Sequence, residues 1–479
     1  MSADAHISGA EFQRASRRAI ADATLQQALH ILRTGFGARR EAAVARLPEF
    51  EALRDAGRDL KDHVLARLDH YLEAYEERAT AAGAHVHWAR DGAEARAIVG
   101  GICADAGAKV ITKGKTMIAE EIGLNEFLEG EGYELVETDL GEYIVQIAHE
   151  RPSHILAPAV HKTRAQIADL FHARHAPLGF TRRLSEPPEI VAEARQVLRA
   201  RYFEAQVGIT GANFLIAETG SSVIVTNEGN GDLTQQLPRV HIVLASLEKV
   251  VPTLDDASLL MRLLSRSATG QDMASYTTVS TGPKRAGDAD GPEQYHVVLL
   301  DNGRSALLGT EFAEVLRCIR CGACMNVCPV YGAIGGHAYG WVYPGPIGAV
   351  LTPALIGIEH GGPLPNASTF CGRCEEVCPV RIPLPKLMRH WRRREFEQRL
   401  TPPRARWALR GWAWLARRPR LYRLAAGLAA GALGRLGRPR GRFRWLPFAS
   451  GWTGGRDLPA PEGPTFHALW AARQRARAK

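Results

Sequence analysis

The chain has 479 residues, of which 46% are hydrophobic and 23% are charged, and its formal net charge is +9 at pH 7. This composition excludes an intrinsically disordered chain, and the length predicts at least two domains. No apolar run reaches about 18 residues, which argues against a membrane-spanning helix.

Residues 1–82 are predicted to form an N-terminal helical region. Residues 10–82 are rich in Ala, Leu, Glu and Arg, and their spacing predicts two or three amphipathic helices. A break is expected near Gly35–Gly37, because glycine disfavours the interior of a helix.

Residues 83–304 are predicted to form an α/β domain with a mainly parallel sheet. Short apolar runs alternate with helical stretches, which is typical of βαβ units. The turn Thr219–Ser221 predicts a hairpin. Predicted strands lie at 84–88, 109–112, 133–138, 154–157, 213–218, 222–226, 241–245 and 296–300, and predicted helices lie at 91–106, 116–129, 161–174, 187–205 and 255–267.

The α/β domain is also predicted to contain a ligand site. Ligands of such sheets bind in the crevice beyond the carboxyl ends of the strands. We expect four candidate side chains near such ends: Lys113, Asp139, Glu142 and Glu218. The string Lys113–Thr116 opens a predicted helix, whose amides suit an anion. The alternative is that the Gly and Asn residues nearby only make turns.

Seven of the eight cysteines lie between positions 318 and 378, in two groups that each end in Cys-Pro. The first group has the full spacing of bacterial ferredoxins, with Cys318, Cys321, Cys324 and Cys328. The second has the same spacing without the first cysteine, and consists of Cys371, Cys374 and Cys378. Thiolates at this spacing hold [4Fe–4S] clusters, so residues 305–400 are predicted to form an iron–sulfur domain.

Zinc and disulfide bonds are the alternatives for these cysteines. One zinc site needs four ligands, whereas the first group alone supplies four within eleven residues. Disulfide bonds need an oxidising compartment, and the first residues lack the apolar segment of a secretory signal. We therefore expect iron–sulfur clusters in a cytoplasmic protein. The remaining Cys103 is expected to be a core residue of a helix.

The ferredoxin pattern predicts the ligands of two clusters, because the fourth Cys of each run ligates the cluster of the other run. Cluster 1 is predicted to have Cys318, Cys321, Cys324 and Cys378 as ligands. Cluster 2 is predicted to have Cys328, Cys371 and Cys374, and Ser368 stands where its fourth thiolate is expected. Three alternatives follow for cluster 2: a [4Fe–4S] cube with Ser368 or an exogenous group as ligand, a cube with an open iron, or a [3Fe–4S] cluster.

Residues 401–479 form a basic C-terminal region that contains repeated Pro and Gly. From Lys386 to Arg444 there are eighteen Lys or Arg residues and only two acids, with several tryptophans between them. Such a segment suits an acidic partner subunit or peripheral contact with an anionic membrane surface at the inner membrane face. A solvated basic helix is the alternative. Nucleic acid is not expected, because no recognised binding module accompanies the charge.

Several strings of the sequence resemble the lactate utilization protein B family. The strings Met117–Asn125, Glu137–Tyr143, Ala217–Ser221 and Thr226–Gly231 resemble the LUD domain of that family. The segment Cys371–Leu384 resembles its iron–sulfur part, and Ser450–Thr453 with Arg456–Pro461 resembles its C-terminal end. The resemblance extends over about residues 20–475.

The resemblance implies a LUD fold similar to sugar-phosphate isomerases and CoA transferases, joined to an α-helical ferredoxin-like domain. It implies an electron-transfer subunit, itself non-catalytic, of a complex that oxidises L-lactate to pyruvate. A cysteine-rich subunit and a second LUD protein are the implied partners, and Ser368 then follows the family pattern. A directly catalytic 2-hydroxy acid dehydrogenase and a metabolite-binding redox sensor are the alternatives. No catalytic residue is assigned.

Overall fold

The computed structural model describes residues 9–447, 449–453 and 455–478. The chain forms two compact units, of which the first extends to Glu395 and the second begins at Phe396. Each unit has its own packing, and the two are described separately.

Residues 9–82, the described part of the N-terminal region, are helical, but they contain five α-helices rather than the predicted two or three. These are α1 Gly9–Ala21, α2 Ala23–Ile31, α3 Gly37–Ala45, α4 Phe50–Leu65 and α5 Leu68–Ala81. The predicted break near Gly35–Gly37 takes the form of a π-helical turn, Leu32–Phe36, between α2 and α3. Phe36 stacks on the ring of His154, with centroids 6.5 Å apart, and this contact holds the turn in place.

Six strands form one entirely parallel sheet, which confirms the predicted α/β fold. The strands of the first unit are β1 His85–Ala89, β2 Val110–Lys113, β3 Glu134–Glu137, β4 Val207–Thr210, β5 Phe214–Ile216, β6 Ser221–Thr226, β7 Val240–Ser246, β8 Val250–Val251, β9 Tyr276–Ser280 and β10 Gln294–Leu300. The parallel sheet has the order β1-β10-β7-β4-β2-β3. A smaller sheet has the order β8-β5-β6-β9, in which β5 and β6 form the predicted hairpin.

Helices cover both faces of the parallel sheet, as buried parallel strands require. The helices of this region are α6 Gly92–Asp105, α7 Met117–Glu121, α8 Leu124–Gly130, α9 Leu140–Ile147, α10 Arg164–His175, α11 Pro187–Glu204, α12 Asn230–Gln236 and α13 Leu254–Ala268. On one face, α6, α7 and α8 pack against Ile111 and Ile209. On the other, α5 packs against Val243, Tyr295 and Val297. The carboxyl ends of the strands are left at one edge.

Two of the predicted elements in this region are wrong. The predicted strand 154–157 is a turn, because the buried ring of His154 accepts hydrogen bonds at Nδ1 from the backbone N–H groups of Leu156 and Ala157. Burial lowers the pKa of His154 to about 3, so the neutral ring is available as an acceptor. The predicted helix 116–129 is divided at Gly123, whose φ of 63° lies in the left-handed region that favours glycine.

The cysteine-rich segment of the first unit consists of loops and short helices. The helices are α14 Ala323–Asn326, α15 Tyr331–Ile334, α16 Gly345–Ile356, α17 Ile358–Gly361, α18 Arg373–Glu376 and α19 Leu384–Glu397. The segment shares one hydrophobic core with the N-terminal helices and α13, to which Leu29, Leu263 and Tyr331 contribute. Arg54 of α4 also donates a hydrogen bond to the carbonyl oxygen of Cys378 at 2.9 Å. The N-terminal helices therefore support the cysteine loops.

The second unit is helical and has few buried side chains. It contains α20 Pro403–Ala416, α21 Pro419–Gly437, α22 Ser450–Thr453 and α23 Phe466–Arg477, with a short ladder of β11 Arg442–Phe443 and β12 Leu458–Pro459. Large apolar side chains are exposed, among them Trp407 at 70% and Leu428 at 67%. Across the part of the chain that the structure describes, none of the helices has the length and hydropathy needed to cross a bilayer.

A buried ion network joins the parallel sheet to the cysteine-rich segment. Arg304, which follows β10, lies 2.7 Å from Glu121 of α7 and 3.1 Å from Glu248, which follows β7. Glu248 also lies 3.1 Å from Arg320 of the first cysteine loop, and Tyr343 donates its hydroxyl hydrogen to Glu121 at 2.6 Å. Burial alone would raise the pKa of Glu248, but the two arginines outweigh it and hold this pKa at about 2.

Replacing Arg304 with Met tests the contribution of this network. The change leaves two buried carboxylates without their shared cation, and we expect the free energy of unfolding of the first unit to fall by about 3–5 kcal/mol. Urea denaturation followed by circular dichroism measures this loss. Arg90→Met is the control, because Arg90 pairs with Glu94 on the surface at 90% exposure and little change is expected. Equal losses in the two variants would contradict the prediction.

Candidate functional site

The two cysteine groups share one local backbone conformation. The residues on either side of Cys321 have left-handed φ angles of 61° and 69°, and those on either side of Cys371 have φ angles of 54° and 85°. A short helix, α14 or α18, begins directly after the second of these residues. In both loops the backbone N–H two residues beyond the cysteine acts to lower the pKa of its thiol. The second loop therefore repeats the geometry of the first.

The seven thiols form two adjoining groups whose members act on one another electrostatically. None of them is in a disulfide bond. Burial and neighbouring thiols together raise the pKa of Cys321, and they raise that of Cys374 to about 12. The neighbours of Cys321 are Cys318 and Cys378, those of Cys374 are Cys328 and Cys371, and Cys324 adjoins both groups. The division of these thiols into the ligands of two clusters stays a prediction.

These thiols fit an iron–sulfur group. Buried thiolates repel one another and need a cation nearby, which ligated iron supplies. Backbone donors for sulfur are present, since the N–H of Tyr331 lies 3.5 Å from Sγ of Cys328 and that of Ile382 lies 3.3 Å from Sγ of Cys378. Cys371 is exposed, so the second group reaches the surface.

Ser368 occupies the place in the second loop that Cys318 has in the first. Its Oγ accepts a hydrogen bond from the backbone N–H of Phe370 at 3.1 Å. A hydroxyl oxygen has two lone pairs, so this bond leaves one for another partner.

Cys103 lies apart from both cysteine groups. It belongs to α6 and is fully buried in the core, as expected, and burial raises its pKa to about 12.

A cavity of about 230 Å³ lies at the carboxyl ends of the parallel strands. Its wall contains residues that follow β2, β3, β4 and β7, together with one residue of the first cysteine loop. The polar residues of the wall are Lys115, Thr116, Asp139, Asn213, Thr226, Asn227, Glu228, Asn230, Lys249, Thr269 and Arg320. Ligands of parallel α/β sheets bind at this position, and here the position adjoins a cysteine group.

Of the four predicted ligand-binding residues, Asp139 alone lines this cavity. Asp139 caps α9, where it accepts hydrogen bonds from the backbone N–H groups of Gly141 and Glu142. Glu218 lies elsewhere, because β5 belongs to the smaller sheet, and its carboxylate accepts a hydrogen bond from the N–H of Leu254 at 3.4 Å. Glu218 thus follows the end of a strand, as expected, but of a strand that is not part of the parallel sheet.

Lys113 and Glu142 belong to a buried charge cluster next to the cavity. The ammonium of Lys113 lies 2.7 Å from Glu137 of β3 and 3.2 Å from Glu120 of α7. Carboxylate oxygens of Glu120, Glu137 and Glu142 lie within 4.8 Å of one another. The lysine is thus already paired, which makes it a structural cation rather than a free ligand-binding group.

The sequence did not single out the cations that line the cavity. Lys249 is only 6% exposed, and among the described residues none accepts a hydrogen bond from its ammonium. Burial and the nearby Arg320 lower the pKa of Lys249 to about 8. Lys115 was part of the string Lys113–Thr116, but it was not proposed as a ligand. The position of Lys249, three residues beyond the buried strand β7, is the signal that could have indicated it.

Comparison with known families assigns the chain to a class. It matches the family models for a LUD domain over residues 72–300, a 4Fe-4S dicluster domain over residues 314–382 and the C-terminal part of lactate utilisation protein B over residues 397–475. With the two cysteine loops, these matches define an iron–sulfur protein that contains a LUD domain.

The relatives narrow this class further. The chain is 42% identical to lactate utilization protein B of Shouchella clausii over 98% of each chain, and 44% identical to that of Bacillus licheniformis over 92% of each. It is 41% identical, over 98% of each chain, to the Escherichia coli protein described as uncharacterized electron transport protein YkgF. The chain therefore belongs to the lactate utilization protein B family. A crystal structure of a DUF162 family protein from Deinococcus radiodurans is 15% identical and covers 49% of this chain and 98% of its own, with a TM-score of 0.26.

Replacing Cys321 with Ala tests the first cysteine group. The variant lacks a central thiol, so we expect one cluster signal to disappear and about half of the iron to be lost. Iron and sulfide analysis with EPR on anaerobically purified protein measures both. Cys103→Ala is the matched control and is expected to keep all the iron, because Cys103 lies in the core of the α/β region. Full iron content in Cys321→Ala would overturn the assignment of this group.

Replacing Glu142 with Gln tests the buried charge cluster through its pH dependence. Burial and the charges of Glu120 and Glu137 raise the pKa of Glu142 far above its usual range, and burial raises that of Glu137 to about 7 against the pull of Lys113. Acids with a raised folded-state pKa stabilise the fold below their unfolded pKa of about 4.5, and this contribution is lost as the pH rises through the folded value. At pH 8 we expect Glu142→Gln to be more stable than the unaltered protein by at least about 1 kcal/mol.

Denaturant titrations at two pH values separate this effect from a change in packing. Near pH 4 the native carboxyl is protonated, and the variant is expected to match the unaltered protein to within about 0.5 kcal/mol. Glu129→Gln makes the same change at an exposed position of α8 and is expected to have no effect at either pH. A Glu142→Gln variant that is less stable at pH 8 would show that the ionised carboxylate stabilises the fold.

Proposed function

We propose that this protein is the iron–sulfur electron-transfer subunit of a complex that oxidises L-lactate to pyruvate. The proposal rests on the two adjoining groups of thiols in a chain of the lactate utilization protein B family. A relative described as an electron transport protein supports the same role. In this proposal the chain carries electrons and does not itself activate lactate.

The proposed cofactors are two [4Fe–4S] clusters, which when bound supply one-electron storage. The proposed ligands of cluster 1 are Cys318, Cys321, Cys324 and Cys378, and those of cluster 2 are Cys328, Cys371 and Cys374. Ser368 is the proposed fourth ligand of cluster 2. Its Oγ, in the place equivalent to Cys318, supports this choice over an exogenous ligand, an open iron or a [3Fe–4S] cluster.

The residues around the two groups would give them different environments. Arg320, within the first cysteine loop, is at most 9% exposed and pairs with Glu248. Positive charge close to a cluster raises its reduction potential. Cys371 of the second group is exposed, so a redox centre of a partner is able to approach that side. The first group is thus suited to hold electrons away from water, and the second to exchange them.

The proposed partners are a cysteine-rich subunit and a second LUD protein. The basic segment from Lys386 to Arg444 supports docking onto an acidic surface of such a subunit, since opposite charges speed and orient association. Peripheral contact with the inner membrane face is the alternative use of the same segment, within a cytoplasmic location. Nucleic acid is not a proposed partner.

A directly catalytic 2-hydroxy acid dehydrogenase is the second candidate function. The cavity between the parallel sheet and the first cysteine loop favours it, because a small molecule bound there would lie beside a redox group. A metabolite-binding redox sensor would use the same cavity without turnover. Both alternatives predict that a ligand acts on the isolated chain.

Anaerobic reduction distinguishes these functions. EPR spectra are recorded before and after addition of L-lactate, for the chain alone and with its partner subunits, together with iron and sulfide analysis. We expect about eight irons, and reduced-cluster signals that require both lactate and partners. Reduction of the isolated chain by lactate would assign catalysis to this protein. About seven irons with an oxidised three-iron signal would exclude Ser368 as a ligand.

A further inference from the structure

Two histidines and a glutamate meet where the loop between α9 and α10 contacts the cysteine-rich segment. Glu150 and His161 belong to that loop, and His337 begins a short 3-10 helix after α15. A potential ligand atom of each residue lies within 4.8 Å of those of the other two. The rings of His161 and His337 have centroids 4.4 Å apart. Two imidazoles and one carboxylate are a common ligand set for a divalent transition metal.

The hydrogen bonds of His161 leave the lone pair of one ring nitrogen facing Glu150. The hydroxyl of Ser153 donates its single hydrogen to the carbonyl oxygen of Pro158 at 2.9 Å. It therefore accepts a hydrogen bond from Nδ1 of His161, which is 2.7 Å away, and the lone pair of the neutral ring is on Nε2. Nε2 lies 2.6 Å from a carboxylate oxygen of Glu150, which is also an acceptor. Two acceptors at this distance need a positive centre between them, which is either a second proton on the ring or a metal ion.

His337 is oriented by a hydrogen bond of the same kind. Its Nε2 lies 2.7 Å from the carbonyl oxygen of Arg151. A carbonyl oxygen only accepts, so Nε2 carries the hydrogen and Nδ1 carries the lone pair. Histidines that ligate metals usually donate their other ring N–H to a carbonyl, a carboxylate or water. A second proton on the ring of His161 would satisfy only the contact with Glu150, whereas a metal ion would also take the lone pair of His337.

Close backbone packing holds the two segments that carry these side chains. A Cβ atom on Gly336 would lie 1.8 Å from the carbonyl oxygen of Ser153, so the residue before His337 has to be glycine. The hydroxyl of Tyr331 donates to the same carbonyl oxygen at 2.6 Å. The ligand atoms of a tetrahedral zinc ion stand about 3.3 Å apart, so small side-chain rotations are enough to complete the site.

The space and the charges next to the three side chains also suit a cation. They line a cavity of about 230 Å³, to which Asp22 and Lys162 contribute as well. Lys162 pairs with the other carboxylate oxygen of Glu150 at 2.7 Å. Among the described residues, the charged groups of this cavity are thus two carboxylates and one ammonium, and this balance favours a cation. The cavity has room for a water molecule, which is the fourth ligand of zinc sites with three protein ligands.

We propose that Glu150, His161 and His337 bind one zinc ion, with water from the adjoining cavity as the fourth ligand. Calcium and magnesium do not fit, because they prefer oxygen ligands only. Zinc binds such nitrogen and oxygen ligands more tightly than ferrous iron does. The ion joins the loop between α9 and α10 to the cysteine-rich segment. Its ligands are not cysteines, so the site is additional to the iron of the proposed clusters.

Equilibrium dialysis of the full, cluster-loaded chain against zinc chloride tests the proposal, with zinc, iron and sulfide measured on the same samples. We expect one zinc ion per chain at unchanged iron content. His337→Gln keeps a donor for the carbonyl of Arg151 but removes a ligand, and it should weaken zinc binding about 100-fold or more. The matched control is His70→Gln, the same change at an exposed position of α5, and it should leave the affinity unchanged.

A change beside the ligands separates metal binding from an ordinary ion pair. Ser153→Ala leaves all three ligands in place but removes the acceptor for Nδ1 of His161, and zinc affinity should fall about 10- to 100-fold. Zinc should raise the melting temperature of the unaltered chain and of His70→Gln, but not that of His337→Gln. If the buried change Ser153→Ala prevents folding, the exposed His337 still decides.

Three results would overturn the proposal. Absence of zinc at full iron content would show that a second proton on His161 makes the contact with Glu150. Zinc uptake that occurs only as iron is lost would place the zinc on the cysteines. Equal zinc binding by His337→Gln and His70→Gln would show an adventitious ion only. Each of these results leaves the electron-transfer function intact, because that function depends on the cysteine groups.

Discussion

Glu248 is the charge on which the arrangement of both functional parts depends. It follows β7 of the parallel sheet, and its two carboxylate oxygens lie against Arg304 and against Arg320 of the first cysteine loop. Because a buried carboxylate is stable only when its partners stay in place, the edge of the sheet and the loop are held in one relative position. The cavity between them is a product of this constraint. The LUD region and the cysteine loops thus meet in one site.

The regular parts of the fold were predictable from the sequence, and the exceptions have physical reasons. Strands such as β7 and β10 are continuous apolar runs bounded by polar residues, and such runs are buried on both faces of a parallel sheet. The two-residue strand β8 and the largely exposed β9 carry no such pattern. The run 154–157 is apolar because it packs around His154 in a turn, and periodicity does not distinguish such a turn from a strand.

The functional residues also divide into those that the sequence predicts and those that it does not. The cysteine spacing was informative because the loop that presents the thiols is local in sequence, and the repeated left-handed residues around Cys321 and Cys371 complete it. The cavity is built from distant segments, so its cations were missed. Lys113 was predicted to bind a ligand because it lies at the carboxyl end of β2. Its ammonium instead pairs with Glu137 of the neighbouring strand. Such pairing is visible only once the strands are assembled.

Arg54 connects the earliest helices of the chain to its last cysteine. Its guanidinium donates to the carbonyl oxygen of Cys378, which lies 324 residues further along the chain. At about 5–20 residues per second, a ribosome needs roughly 16–65 s to synthesise that stretch. Throughout this interval α4 lacks these acceptors, and the part of its core that the cysteine-rich segment supplies has not been made. The growing chain therefore has a long period in which chaperones compete with misassociation, and the first helices to be synthesised are among the last to complete their packing.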